Sequence, residues 1–171
     1  MNDKKPTHQE RLRRMLDPEG KAGLPKKEGE AEETEISCGG AFGYLRGIRD
    51  LPGSVEFRFR DGNSAWFAYS LLGMWRYNPS EGLLLKFSGD MVYLVLIRGS
   101  NLDKPLNEGA INLTTGGLQR NRIVWIREMS EEDIRQVGDS GPTVDQIQIA
   151  EFESQAALKE WLSQNAPAFV R

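Results

Sequence analysis

The run Val55-Glu56-Phe57-Arg58-Phe59-Arg60-Asp61-Gly62-Asn63-Ser64-Ala65-Trp66-Phe67-Ala68-Tyr69 alternates apolar and charged residues and then turns back on itself. Val55, Phe57 and Phe59 fall at a period of two between Glu56, Arg58 and Arg60. That is the pattern of a strand with one buried and one wet face. Asp61-Gly62-Asn63 supplies a three-residue turn, with Gly62 or Asn63 in the left-handed conformation. The register that follows sets Phe59 against Ala65, Phe57 against Phe67 and Val55 against Tyr69. On the wet face it puts Trp66 beside Arg58.

The period of two continues outward. Met74 to Tyr77 and Leu83 to Phe87, joined by Asn78-Pro79-Ser80-Glu81-Gly82, predict a second hairpin with Trp75, Tyr77, Leu83, Leu85 and Phe87 on one face. Met91 to Arg98 is apolar at both parities, which predicts a central strand covered on both sides. Arg122 to Glu128 and Val144 to Phe152 read as further strands, the latter with Ile147 and Ile149 inward. Ser130 with Asp133 resembles a capping box opening a short helix that stops at Gly138. Ser154 caps a helix to about Asn165, with Ala157, Leu158, Trp161 and Leu162 as its apolar stripe. Pro105, Gly109, Gly116 and Gly117 make most of 101–119 a loop. The expectation is a mainly β (α+β) domain, an antiparallel β-barrel or strongly bent sheet of six or seven strands. One C-terminal helix would plug or cover it.

The chain has 171 residues, 39% hydrophobic and 27% charged. That is the length and composition of one globular domain. Its longest apolar run, Met91 to Ile97, is strand-sized and far too short for a spanning helix. No apolar segment follows the early bases Lys4 and Lys5, so no secretory signal is expected and the cytoplasm is the expected location. Residues 1–37 hold little apolar content beyond Leu12, Met15, Leu16, Leu24 and Ile36, too little to offset the entropy of ordering them. They predict a disordered charged tail ahead of a single β-rich domain at 38–171, with two helical turns at 9–16 only when docked. The tail's charges are sorted, eight bases against four acids in 1–27 and then five acids without a base in 28–35. The acidic block is a candidate to fold back on a basic face of the domain.

Few side chains suit catalysis. The sole histidine, His8, lies in the tail and the sole cysteine, Cys38, at its junction, and no Gly-x-Ser-x-Gly elbow is present. One His and one Cys do not make a zinc shell, and Glu56, Asp61, Glu81 and Asp90 lack calcium-loop spacing, so neither metal nor cofactor is expected. A carboxylate-dependent enzyme is left as an alternative, since two strand acids can meet across a cleft.

The charge distribution is more telling. From Arg46 to Arg127 nine Arg and two Lys stand against seven acids, whereas from Glu128 onward three bases face nine acids. Arginine's planar fork suits bidentate contact with carboxylate or phosphate. Arg58 and Arg60 share a strand face, as do Arg120 and Arg122 where that segment is extended, and Trp66 adds an aromatic member. Arg58, Arg60, Trp66, Arg120 and Arg122 are therefore the expected binding surface. Its expected use is as a noncatalytic binding or protein-interaction module that takes a protein or peptide and no membrane. Nucleic acid or an anionic nucleotide is the alternative ligand. Against nucleic acid stands the net charge of −3. Arg46-Gly-Ile-Arg49 and Asn78-Pro-Ser-Glu-Gly82 are each one residue shorter than the two motifs with which PilZ domains bind cyclic-di-GMP.

Overall fold

A computed structural model of the chain describes residues 35–38, 40–46, 51–105 and 110–170. The expected tail up to residue 34, with its helical turns at 9–16, lies outside these residues. Residues 35–38 are not tail but strand, so the folded chain begins ahead of residue 38.

Nine strands are present among the described residues, in two sheets, rather than six or seven in one barrel or strongly bent sheet. The first sheet holds β1 (Glu35–Cys38), β2 (Phe42–Leu45), β3 (Ser54–Arg58), β4 (Ser64–Ala68) and β8 (Ile123–Arg127), in the order β1-β2-β8-β3-β4. The second holds β5 (Leu72–Asn78), β6 (Gly82–Ser88), β7 (Val92–Arg98) and β9 (Gln146–Phe152), in the order β5-β6-β7-β9. No closed barrel forms among the described residues. Nor is the pairing wholly antiparallel, because β8 enters the first sheet parallel to β3, with Glu56 opposite Trp125 and Arg58 opposite Arg127.

The two sheets pack face to face, as alternation dictates. Val55 and Phe57 from β3, Phe42 and Tyr44 from β2 and Ile123 and Ile126 from β8 meet Leu83, Leu85, Phe87, Val95 and Ile97 of the second sheet. Phe57, Phe67 and Phe87 form the aromatic centre, Phe67 stacked on Phe87 at 4.7 Å and Phe57 edge-on to both at 5.8 and 6.2 Å. The other parity of the second sheet makes a separate core, Leu84, Leu94, Leu96 and Phe152 under Leu158 and Leu162 of α2 (Gln155–Asn165). Both parities of β7 are thus buried, as its sequence predicts. Arg98 of β7 fixes the helix by donating from Nη2 to the Asn165 carbonyl at 2.6 Å, a cation at a helix C-terminus. The helix covers a sheet instead of plugging a barrel.

The register of the first hairpin departs from expectation. The Phe59 N–H donates to the Asn63 carbonyl at 2.9 Å and the Gly62 N–H to the Phe59 carbonyl at 3.1 Å. The loop is therefore Arg60-Asp61-Gly62, with Gly62 left-handed at φ 89°, a type I turn closed by a bulge. The Asp61 carboxylate accepts from the Asn63 backbone N–H and from its side-chain amide, and those bonds hold its pKa below the ordinary carboxylate value. Sliding the loop one position back pairs Phe57 with Ala65 and Val55 with Phe67 and keeps every apolar side chain inward. It moves Trp66 from beside Arg58 to opposite Glu56.

Glu128, just past β8, ties the sheets together. Its carboxylate accepts the Arg60 N–H at 2.9 Å and the Ile147 N–H of β9 at 2.7 Å. Glu128→Ala would strip two backbone donors of a charged acceptor and is expected to cost about 2 kcal/mol. Glu128→Gln, which keeps one acceptor oxygen, should cost roughly half as much. Urea unfolding of the three proteins checks the order.

Tyr77 of β5 donates its hydroxyl to Asp103 Oδ1 at 3.0 Å and so moors the loop after β7. Burial, then that bond and the Asp103 charge, push its pKa up to about 12. A phenol whose folded pKa lies above its unfolded value of about 10 contributes stability that is whole below that unfolded value. That contribution is lost as pH rises through about 12. Tyr77→Phe should flatten the fall in stability over this window, and an unchanged profile by alkaline denaturation would count against the coupling.

Candidate functional site

The outer face of the first sheet carries a cross-strand row, Gly43 of β2, Trp125 of β8, Glu56 of β3 and Trp66 of β4. Next to it runs a second row, Arg127, Arg58 and Ser64. Trp125 lies on this face by alternation from its core neighbour Ile126, and β8 is bulged just before it. Gly43 opposes Trp125 and Tyr44 opposes Ile123, leaving Val124 as an extra residue. The bulge lets Ile123 and Ile126 both reach the core while Trp125 between them turns away from it. The indole then lies against the β2 backbone, where any Cβ at Gly43 would collide with Trp125 Nε1.

On this platform the charges are paired. The Arg58 guanidinium carbon sits 4.7 Å from the Trp125 ring centroid, a cation–π contact. The same guanidinium holds Glu56 Oε2 at 2.7 Å. Arg127 donates from Nε to the Gly40 carbonyl and contacts Asp133 Oδ2 at 3.3 Å. Asp133 also closes the capping box of α1 (Glu131–Val137) with Ser130, as its spacing predicts. Arg60 reaches the Asp145 carbonyl from Nη2 at 2.7 Å. These residues border an open cleft of about 430 Å³, in which Arg58, Arg60 and Arg127 face Glu56, Glu128 and Asp133. Three cations against three carboxylates leave no net charge, so the cleft lacks the field that would gather a polyanion.

Beside the cleft, β4 is the edge of its sheet. Phe59 bonds Asn63 and Tyr69 bonds Gly53, so by antiparallel alternation the residues between them at odd numbers face β3. Ser64, Trp66 and Ala68 therefore turn their backbone N–H and C=O groups away from β3, to the open edge. Trp66 stands out from the middle of that edge with 63% of its surface exposed.

Of the expected site residues, Arg58, Arg60 and Trp66 share this region, though Trp66 is across from Glu56. Arg120 and Arg122 do not join them. Arg120 ends a helical turn, Asn121 is left-handed at φ 51°, and both arginines precede β8 at the end opposite Arg127. The segment is not extended there, so the two do not share a strand face with Arg58. Arg120 instead borders a separate hollow with Asn112, Thr115 and Gln119. Trp125, Arg127, Glu128 and Asp133 are the members that reading the sequence missed. Trp125-x-Arg127 repeats the spacing of Glu56-x-Arg58, and that echo was the available signal. Among the described residues no group of three His, Cys, Asp or Glu side chains is placed to hold a metal ion. No helix of the described residues is long and apolar enough to cross a membrane. Comparison of the chain with known protein families, with curated proteins and with solved structures finds no match.

Proposed function

We propose that the chain is a noncatalytic interaction module that takes an extended segment of a partner protein along β4. The observation that carries this reading is the state of that edge. Sheet edges in monomeric proteins are commonly blunted by charge, proline or a covering element. Ser64-Ala65-Trp66-Phe67-Ala68 has no charged residue and no proline, and no strand pairs with its outer side among the described residues. A peptide added there would bond to the N–H and C=O groups of Ser64, Trp66 and Ala68. Alternate side chains of the peptide would lie over the Trp66 indole and toward the Arg58–Glu56 pair. The ion-paired cleft supports this reading over an enzymatic one. Glu56 is held by Arg58, Glu128 by two backbone N–H groups and Asp133 by its cap, so each carboxylate already has a structural partner.

Selection of random dodecapeptides from a display library against the full chain tests the proposal. Enriched peptides, made synthetically, should bind in the micromolar range and lose about tenfold or more in affinity on Trp66→Ala. N-methylation at alternate peptide amides should abolish binding. Because Trp66 is exposed, its removal should leave stability within about 0.5 kcal/mol. Peptides indifferent to both changes, or no enrichment, would overturn the reading. Binding of oligo(dT) that falls steeply with salt would overturn it in favour of nucleic acid.

A further inference from the structure

The β4 edge also matches itself. Among the described residues the two sheets have four edge strands, β1, β4, β5 and β9. β1 carries Glu35, β5 Arg76 and β9 Glu151, and a charge on an edge guards against pairing with another chain. β4 is the one of the four without a charge. Its outward-bonding residues Ser64, Trp66 and Ala68 form a set centred on Trp66. Two copies of an edge can pair antiparallel only where both turn their bonding groups outward. With a two-fold axis at Trp66, all five residues of β4 find partners. That register sets Trp66 opposite the second copy's Trp66, Ser64 opposite Ala68 and Ala65 opposite Phe67.

Size and charge both suit this register. On the core side a large ring meets a small side chain, Phe67 against Ala65, twice by symmetry. Phe67 packs against Phe87 and Tyr93 and yet is only partly buried, whereas Val55 and Phe57 beside it on β3 have no exposed surface. The open edge accounts for that difference, and a pairing strand would close it. On the outer face the two exposed indoles would meet as a cross-strand aromatic pair. The two copies of Glu56, in the same cross-strand row as Trp66, would stand three strand spacings apart, about 14 Å. That exceeds the screening length of about 8 Å at physiological salt, and Arg58 neutralises each of them. The pairing therefore sets no like charges opposite one another.

We infer that the partner on β4 is a second copy of this chain, joined by antiparallel β4–β4 pairing about a two-fold axis at Trp66, which turns the five-stranded sheet into one of ten. The inference rests on the reading of β4 as a pairing edge and names its partner. Five residues a side fall well short of the roughly 20–30 of a stable interface, so the dimer is weak, with a dissociation constant on the order of 100 μM.

Sedimentation equilibrium of the full chain from about 5 to 500 μM should show a monomer passing into a dimer. Trp66→Lys removes the indole pair and sets two ammonium groups opposite each other, and it should weaken the dimer at least about tenfold. Trp66→Ala serves in its place should the lysine variant fold poorly. Ser64→Cys and Ala68→Cys, each in a Cys38→Ser background, report the register with Trp66 kept. Mixed under mild oxidation, they should form a disulfide between positions 64 and 68, whose Cα atoms would lie about 5.5 Å apart. Neither variant alone should cross-link, because like positions would lie four residues apart along the strand, about 13 Å. A dimer indifferent to Trp66→Lys, or cross-linking of the single variants as readily as of the mixture, would overturn the inference. A chain that stays monomeric but still binds the selected peptides through Trp66 would overturn it and leave the β4 reading in place. A monomer that binds no peptide would overturn both.

Discussion

Replacing Phe87 by Ala is expected to cost about 3–5 kcal/mol of folding stability, the range for emptying a fully buried aromatic site. Phe87 has no exposed surface, and its ring is where the two sheets meet, stacked on Phe67 and edge-on to Phe57. Truncation removes the transfer energy of the ring and two aromatic contacts worth about 0.5–1.5 kcal/mol each. It leaves a void between two sheets that are each rigid in their own plane, so collapse can recover little. Phe87→Leu keeps most of the volume and should cost under about 1.5 kcal/mol. Denaturant unfolding of both variants measures the difference. A loss under about 1 kcal/mol for Phe87→Ala, well below the range for such truncations, would mean that the sheets do not close on this side chain.

Gly82→Ala is expected to be worse, at about 4 kcal/mol or more, with loss of soluble protein. Gly82 opens β6 at φ 109°. A residue with a side chain adopts that conformation only at a cost of about 1–3 kcal/mol. The added Cβ would also overlap the Ile97 carbonyl of β7, which is backbone and has nowhere to move without opening the β6–β7 ladder. Gly62→Ala separates the two effects. Gly62 has a positive φ of 89° but open space around it. It therefore bears the conformational cost alone, about 1–2 kcal/mol. Equal losses for the two variants would show that the clash at Ile97 is relieved by relaxation.

Local pattern foretold local structure. The period of two in β3, β5 and β6, the double-sided apolarity of β7 and the caps at Ser130 and Ser154 all reappear where the residues predict them. What alternation does not encode is which strand lies beside which. The partner of β3 on its far side is β8, which follows only after four intervening strands have been laid down in sequence or closed into hairpins of their own. The Trp125–Arg58 contact is a product of that pairing, so no reading of either segment alone contains it. Parity also fails where a bulge interrupts it. The extra residue Val124 places Ile123 and Ile126 on one side and hides Trp125 from a count by twos. The site residues split the same way. Arg58 and Arg60 keep their places because they belong to one hairpin, whereas Arg120 and Arg122 join them only where their segment is extended, and the left-handed Asn121 bends it.

The insertion of β8 between β2 and β3 sets an order of events during synthesis. Strands β5, β6 and β7 are consecutive, joined by short turns, and can pair as soon as Arg98 has left the ribosome. β2 and β3 must wait, with Phe42, Tyr44, Val55 and Phe57 unsheltered, until Ile123 to Arg127 emerge to bridge them. During that interval the β3–β4 hairpin is bare on both edges, a state in which strands of neighbouring nascent chains can pair with it. A chain released before Ile123 would therefore retain three strands of the second sheet and lose the first, and its fate would be aggregation through the very strands that β8 normally captures.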